Sequence, residues 1–468
     1  MATRILLFGT HPKQFNGYSK VVYEIMKGMS KKSEKFELFV YGFQNCYVNN
    51  KHRMDIPSNV TIYDAQANEN PKKMGFGITE IKDYVTMNKP DVCIVYNDMM
   101  ILHQVITQLK EVQKEQSMDF KIIAYVDQIY LNQKKQFLTF INENADMSMM
   151  FTSSWEECIK KQGLTTPTCY LTHGINKHTY FPIRKDIARQ YFNMNKDDFL
   201  ILNLNRNQPR KRWDTCMKAF AEVVSRHRGK PIKMIIATAV QGAWNLLELF
   251  ERELKKRDIT LEEGMKHIVI MDRPQQMTDE ETNILYNVAD MGINTCDGEG
   301  FGLCNFEQAA IGIPQVVPRL GGFVDFFDDD NAFLVEPTMA YYVDNTRDMV
   351  CGEALLCDYS DFADCIEQYY ESEDLRKEHG RICRERILAN YSWDQVVDKL
   401  CTIIDQVCPR KVDDIEKIDM EILEKLIDVA TNVEAVDTVI EPILEKADKM
   451  KEILELQEKL NLLIKSIS

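Results

Sequence analysis

The chain has 468 residues, 45% of them apolar and 28% charged, and a formal charge of −15. That size suits roughly two or three globular domains with full cores, and the acidic balance speaks against general binding to nucleic acid or anionic lipid. Thirteen cysteines, odd in number and without a CxxC spacing, fit reduced thiols in a cytoplasmic protein better than disulfides or a metal site. The opening MATRILLFG lacks the apolar core of a secretion signal, and no stretch approaches the roughly eighteen apolar residues of a membrane span.

The first half alternates two periodicities. Short β-branched or aromatic runs at 4–8, 36–41, 60–63, 92–96, 121–126, 147–152 and 168–172 are separated by helical spacing at 18–29, 78–87, 101–113 and 155–162. This alternation predicts a parallel, doubly wound α/β sheet, whose ligands sit at the carboxyl ends of its strands. Gly9 to Gly17 follows the first strand, and Gly17 either holds a turn against a ligand or simply opens a helix. After an irregular connector, Gly174 to Pro182, the pattern repeats with strands at 199–203, 232–238, 267–270, 291–294, 315–317 and 332–335. Two such halves on a short linker imply a cleft between them.

The second half opens with NLNRNQPRKRWDT, in which Arg206, Arg210, Lys211 and Arg212 crowd a strand-to-helix loop that Asp214 could cap. Cations there suit a diphosphate, since arginine grips phosphate bidentately and lysine supplies a mobile charge. Further on, DGEGFGLCNFEQAA reads as a glycine loop, Gly298, Gly300 and Gly302, entering a helix, which makes an anion site of free N–H groups. Glu299 and Glu307 flank it. Acids beside a phosphate would repel it, so they suit sugar hydroxyls; the plainer alternative is a helix-capping Glu299 and a solvated Glu307. Asp328 to Asp330 formally contain D-x-D but read as a solvated turn, and Asp279 to Glu281 as a charged first helical turn.

Together these loops resemble the retaining GT-B glycosyltransferases of family 4. GEGFGLCNFE is similar to their E-x7-E element, NRNQPRKRWD to GRLxxxKGxD, and THGINKHTYF, residues 172–181, to PNGVDxxxF. TDEETNILYNVAD and YSWD match as well, so the resemblance runs from about residue 4 to about residue 408. Its departures, Asn205 and Arg212 in place of glycine, resemble a divergent branch found in large DNA viruses.

The resemblance implies a GT-B fold of two Rossmann-like domains. Residues 1–175 would form the acceptor side, and 176–410 would bind the nucleotide sugar, with the last helix crossing back to the first domain. It also implies roles. Arg206 and Lys211 would meet the donor diphosphate, Glu299 the transferred sugar and Glu307 the ribose. Gly300, Phe301 and Gly302 would offer backbone N–H groups, Arg273 would border the base, and Gly17 and Asp127 would line the first-domain side. Where the family carries a His-Asp pair, this chain has Val126 and Asp127; His173 and His11 could approach the cleft, and neither is assigned a role. The expected activity is sugar transfer from a GDP- or UDP-sugar to a hydroxyl of a glycan, lipid-linked sugar or protein, with no metal or cofactor. The alternatives are a nucleotide-sugar epimerase or a non-catalytic scaffold working through its tail. That tail, residues 411–468, has no glycine and two short offset apolar stripes, which predict a small helical extension able to pair with a second copy or a partner.

Overall fold

The computed structural model describes residues 2–46, 52–70, 72–271, 276–345, 347 and 349–409. The helical extension expected over 411–468 lies outside the described residues.

The first sheet contains β1 Thr3–Thr10, β2 Phe36–Phe43, β3 Thr61–Asp64, β4 Val92–Asp98, β5 Lys121–Asp127, β6 Met147–Met150 and β7 Thr168–Tyr170. All are parallel, in the order β3-β2-β1-β4-β5-β6-β7. Ile5 to Phe8 are at most 1% exposed, because helices cover both faces and an unbroken apolar run is what such a strand needs. The second sheet contains β8 Phe199–Asn203, β9 Ile232–Ile236, β10 Ile268–Ile270, β11 Met291–Ile293, β12 Gln315–Pro318 and β13 Phe333–Val335. Its order is β10-β9-β8-β11-β12-β13, again parallel. The doubly wound architecture read from the alternating pattern is present in both halves.

Two features tie the halves together. The helix Trp393–Val407 leaves the second domain and packs on the helix Gly17–Ser30 of the first. Val397 fills the space above Gly28, and Lys32 pairs with Asp398 at 2.9 Å. The second feature is an antiparallel hairpin, β14 Pro337–Val343 with β15 Gly352–Cys357, which the sequence pattern did not announce. Leu131 and Glu353 exchange backbone hydrogen bonds of 3.1 and 2.7 Å, and Val343, Val350 and Ala354 join the first-domain core. The hairpin therefore belongs to one domain by sequence and to the other by packing. All thirteen cysteines are free thiols, and among the described residues no helix is long and apolar enough to cross a membrane.

A Cβ on Gly28 would lie 2.3 Å from Val397 Cγ2, so Gly28→Leu must push the returning helix away. We expect a loss of about 1–3 kcal/mol in chemical denaturation, the usual cost of overpacking; an unchanged midpoint would show that this helix contact does not constrain the fold.

Candidate active site

A cavity of about 550 Å³ lies between the domains, where the carboxyl ends of β1, β4 and β5 face those of β8 and β9. Its second-domain floor is the glycine loop and the start of the helix Leu303–Ala310. The loop is fixed sterically. Gly302 has φ +89°, and a Cβ on Gly298 or Gly300 would strike Tyr130 at 2.4 Å or Asp127 Oδ1 at 2.0 Å. From the first domain, Trp155 Nε1 donates to the carbonyl oxygens of Gly300 at 2.9 Å and Glu299 at 3.3 Å. Gly302 caps the helix with no side-chain bond, so the loop exposes the helix's free N–H groups to the cavity.

Both glutamates are buried, Glu299 at 5% and Glu307 at 2% exposure, which removes the reading of a capping Glu299 and a solvated Glu307. Lys211 Nζ donates to Glu299 Oε2, while Arg210 reaches Oε1 at 3.2 Å and the Gly298 carbonyl at 3.1 Å. Burial alone would raise the Glu299 carboxyl, but the Lys211 and Arg210 charges overcome it and hold it down to about 2. Glu307 sits differently. Lys20 Nζ, from the first-domain helix, donates to its Oε1 at 2.6 Å, and Tyr286 donates to Oε2 at 3.0 Å. Lys20 also lies 3.6 Å from Asp279, which Arg53 grips through Nε at 2.9 Å and Nη2 at 3.1 Å.

The structure brings Arg206, Lys211, Glu299, Glu307, Phe301, Gly302, Gly17 and Asp127 to one cavity. Gly300 stands directly behind it against Asp127, and Arg273 lies outside the described residues. Arg206 is exposed at the rim, and among the described residues its guanidinium has no hydrogen bond or ion pair. Arg212 leaves the expected cation cluster: its backbone takes φ +47°, and its side chain turns to Asp214 at 2.6 Å and Asp297 at 3.5 Å. Asp214 pairs there instead of capping the helix Trp213–Arg226. Of the two histidines, His173 lines the cavity against Phe301, with ring centroids 4.5 Å apart, and burial holds it neutral, down to about 3. His11 packs under Gly42 instead. The D-x-D turn is structural, since Asp328 pairs with Arg386 and Asp329 with Arg319.

Residues 171–400 match the model of a family described as family 4 glycosyltransferases in conflict systems. Over this stretch, just under half of the chain, the sequence is similar to the family-4 glycosyltransferases. Among curated proteins similar to this chain, the D-inositol 3-phosphate glycosyltransferase of Saccharomonospora viridis is 25% identical over 230 residues, covering 49% of this chain and 48% of that protein. Its namesake in Rhodococcus erythropolis is 26% identical over 153 residues, covering 32% of each. The chain thus spans about half, or less, of the length of the curated relatives it matches. Over the two domains, the sucrose-phosphate synthase of Thermosynechococcus elongatus superposes with a TM-score of 0.66 at 16% identity, covering 86% of this chain and 99% of that one. Anabaena HepE, solved in complex with UDP and glucose, gives 0.63 at 13% identity with the same coverage. The fold is GT-B.

The part that three residues play in this site was not foreseen from the sequence. Lys20 stands one turn past Gly17, a spacing that could have aimed it at the cleft. Arg210 was seen as one cation of a cluster, without its bond to Glu299. Asp279, read as a first-turn acid of the helix Asp279–Val288, is in that turn and is also a buried partner of first-domain cations.

Asp127 generates a pH prediction. Its Oδ2 accepts from Tyr18, while Oδ1 is shielded and has no hydrogen-bond partner. Burial pushes its carboxyl up from 3.8 to about 6, against the lowering effects of the Tyr18 bond and Arg210. A raised carboxyl binds its proton more tightly folded than unfolded, so stability is lost as pH rises from about 4 to 6 and the penalty is complete above that. Asp127→Asn should therefore stabilise the protein by about 1–3 kcal/mol at pH 7.5, the gain vanishing below pH ~4. Denaturation across that range checks it; a difference independent of pH would contradict the assignment.

Proposed function

We propose that the protein is a retaining glycosyltransferase that moves a sugar from a GDP- or UDP-sugar to an acceptor hydroxyl. The observation that carries this reading is the convergence, around one helix N-terminus, of the cations Arg206 and Lys211 with two buried carboxylates held by separate partners. In this reading the diphosphate meets Arg206, Lys211 and the N–H groups of Gly300 to Gly302, Glu299 takes hydroxyls of the transferred sugar, and Glu307 takes those of the ribose. Arg273 borders the base. The UDP bound to the Anabaena neighbour makes UDP the first nucleotide to test.

The reaction breaks the bond from the anomeric carbon to the diphosphate oxygen and forms one from the acceptor oxygen on the same face. The acceptor's proton passes to the leaving diphosphate, so no side chain has to act as base at the anomeric carbon. What the protein supplies is charge where the diphosphate departs, plus orientation in a cleft that excludes water. Lys211 can turn toward the diphosphate because Arg210 remains on Glu299, which keeps that carboxylate from being stranded. The scheme calls on no metal.

A nucleotide that binds only the folded state raises its melting temperature by mass action, so UDP, GDP and their sugar conjugates should be screened by thermal shift. One nucleotide is expected to stabilise the protein and to lose that effect in Arg206→Ala and Lys211→Ala. With the sugar donor so found, Lys211→Ala should lower turnover about 10²–10³-fold, as removal of a transition-state charge donor does. Turnover within a few fold of wild type would refute the diphosphate role.

A further inference from the structure

The cavity's charge balance bears on the acceptor. Its described lining carries five cations, Lys20, Arg53, Arg206, Arg210 and Lys211, against five carboxylates, Asp98, Asp127, Asp279, Glu299 and Glu307. The cations are also committed. Arg53 spends its guanidinium on Asp279, the carbonyls of Pro12 and Gln14 and the hydroxyl of Ser19. Lys20 lies between Glu307 and Asp279, so ribose binding at Glu307 would still leave it beside a carboxylate. Arg210 and Lys211 hold Glu299. The histidines add no charge at neutral pH: His52 is lowered to about 4 by burial and Arg53, and His173 lower still. Arg206 alone among these cations has no ion pair in the described residues, and the donor diphosphate takes it.

The first-domain wall opposite is of another kind. It presents the rings of Phe15, Tyr18 and Tyr96, the amide of Asn97 and the carboxylates of Asp98 and Asp127. Aromatic faces with carbonyl and carboxylate acceptors recognise the C–H faces and hydroxyl donors of a sugar ring, whereas a phosphate buried there would meet like charge and, among the described residues, no unspent cation.

Resting on the glycosyltransferase reading, we propose that the acceptor is an uncharged carbohydrate or polyol, seated on this aromatic and acidic wall, and not a phosphorylated sugar. Asp127, at the edge of this wall where it meets Gly300, acts in it as a specificity residue that repels anionic acceptors.

The experiment measures donor binding and slow donor hydrolysis first, which tests the glycosyltransferase reading by itself. Matched acceptors are then added to the full chain: myo-inositol with D-inositol 3-phosphate, glucose with glucose 6-phosphate, and maltose with maltose 1-phosphate. Neutral members should accelerate donor turnover, each at least about 100-fold better than its phosphate in kcat/KM, a discrimination of the size expected when a buried charge lacks its partner. Asp127→Asn should narrow that preference about tenfold by removing like-charge repulsion; a merely structural role would lower both members equally. Equal or better use of the phosphates would overturn the proposal, as would donor turnover that no sugar or polyol of either set accelerates.

Discussion

Two glutamates eight residues apart hold opposite positions in the same buried floor, and the cleft depends on how each is neutralised. An isolated carboxylate in such a place would take up a proton or force the loop open. Glu299 avoids this because Lys211 and Arg210 arrive from the neighbouring strand-to-helix loop, and it stays ionised. The same contact welds the two loops that follow β8 and β11 into one surface. Glu299 is thus tied down on one side while Trp155 holds the Glu299 and Gly300 carbonyls on the other, which fixes the loop just ahead of Gly302 and the helix start that line the cavity.

Glu307 is neutralised across the domain boundary. Its partner Lys20 comes from the first domain, beside a bidentate Arg53–Asp279 pair that also crosses the cleft. These are buried ion pairs whose desolvation offsets much of their attraction, so they add specificity of fit more than stability. The ionic contacts inside the cleft, the returning helix Trp393–Val407 and the hairpin β14–β15 fix the approach of the two sheets. The part of the cavity around Glu307 is thus built from both domains, and the position of Glu307 is coupled to where the first-domain helix sits.

Much of this was legible in the sequence. Strand runs such as Ile5 to Phe8 and Val92 to Tyr96 are apolar throughout because both sheet faces are covered, and that signal survives in a single sequence. The glycine loop was legible too, since Gly298, Gly300 and Gly302 stand where any Cβ would collide. What escaped notice depends on contacts between residues far apart in the chain. Lys20 and Glu307 are separated by 287 positions, and periodicity says nothing of which cation will meet which acid. The hairpin escaped because it draws what burial it has from the other domain's core, so PTMAYYV is exposed or half-buried up to Val343 and carries no core run. Arg212 deceived in the opposite direction: beside Lys211 in sequence, it is turned away by a left-handed backbone and by Asp214.

The decisive measurement is a crystal structure of the protein grown with UDP or GDP. The nucleotide is expected in the interdomain cavity, with its ribose hydroxyls on Glu307 and its diphosphate between Arg206, Lys211 and the glycine loop. A nucleotide bound elsewhere, or a diphosphate remote from those two cations, would contradict this placement.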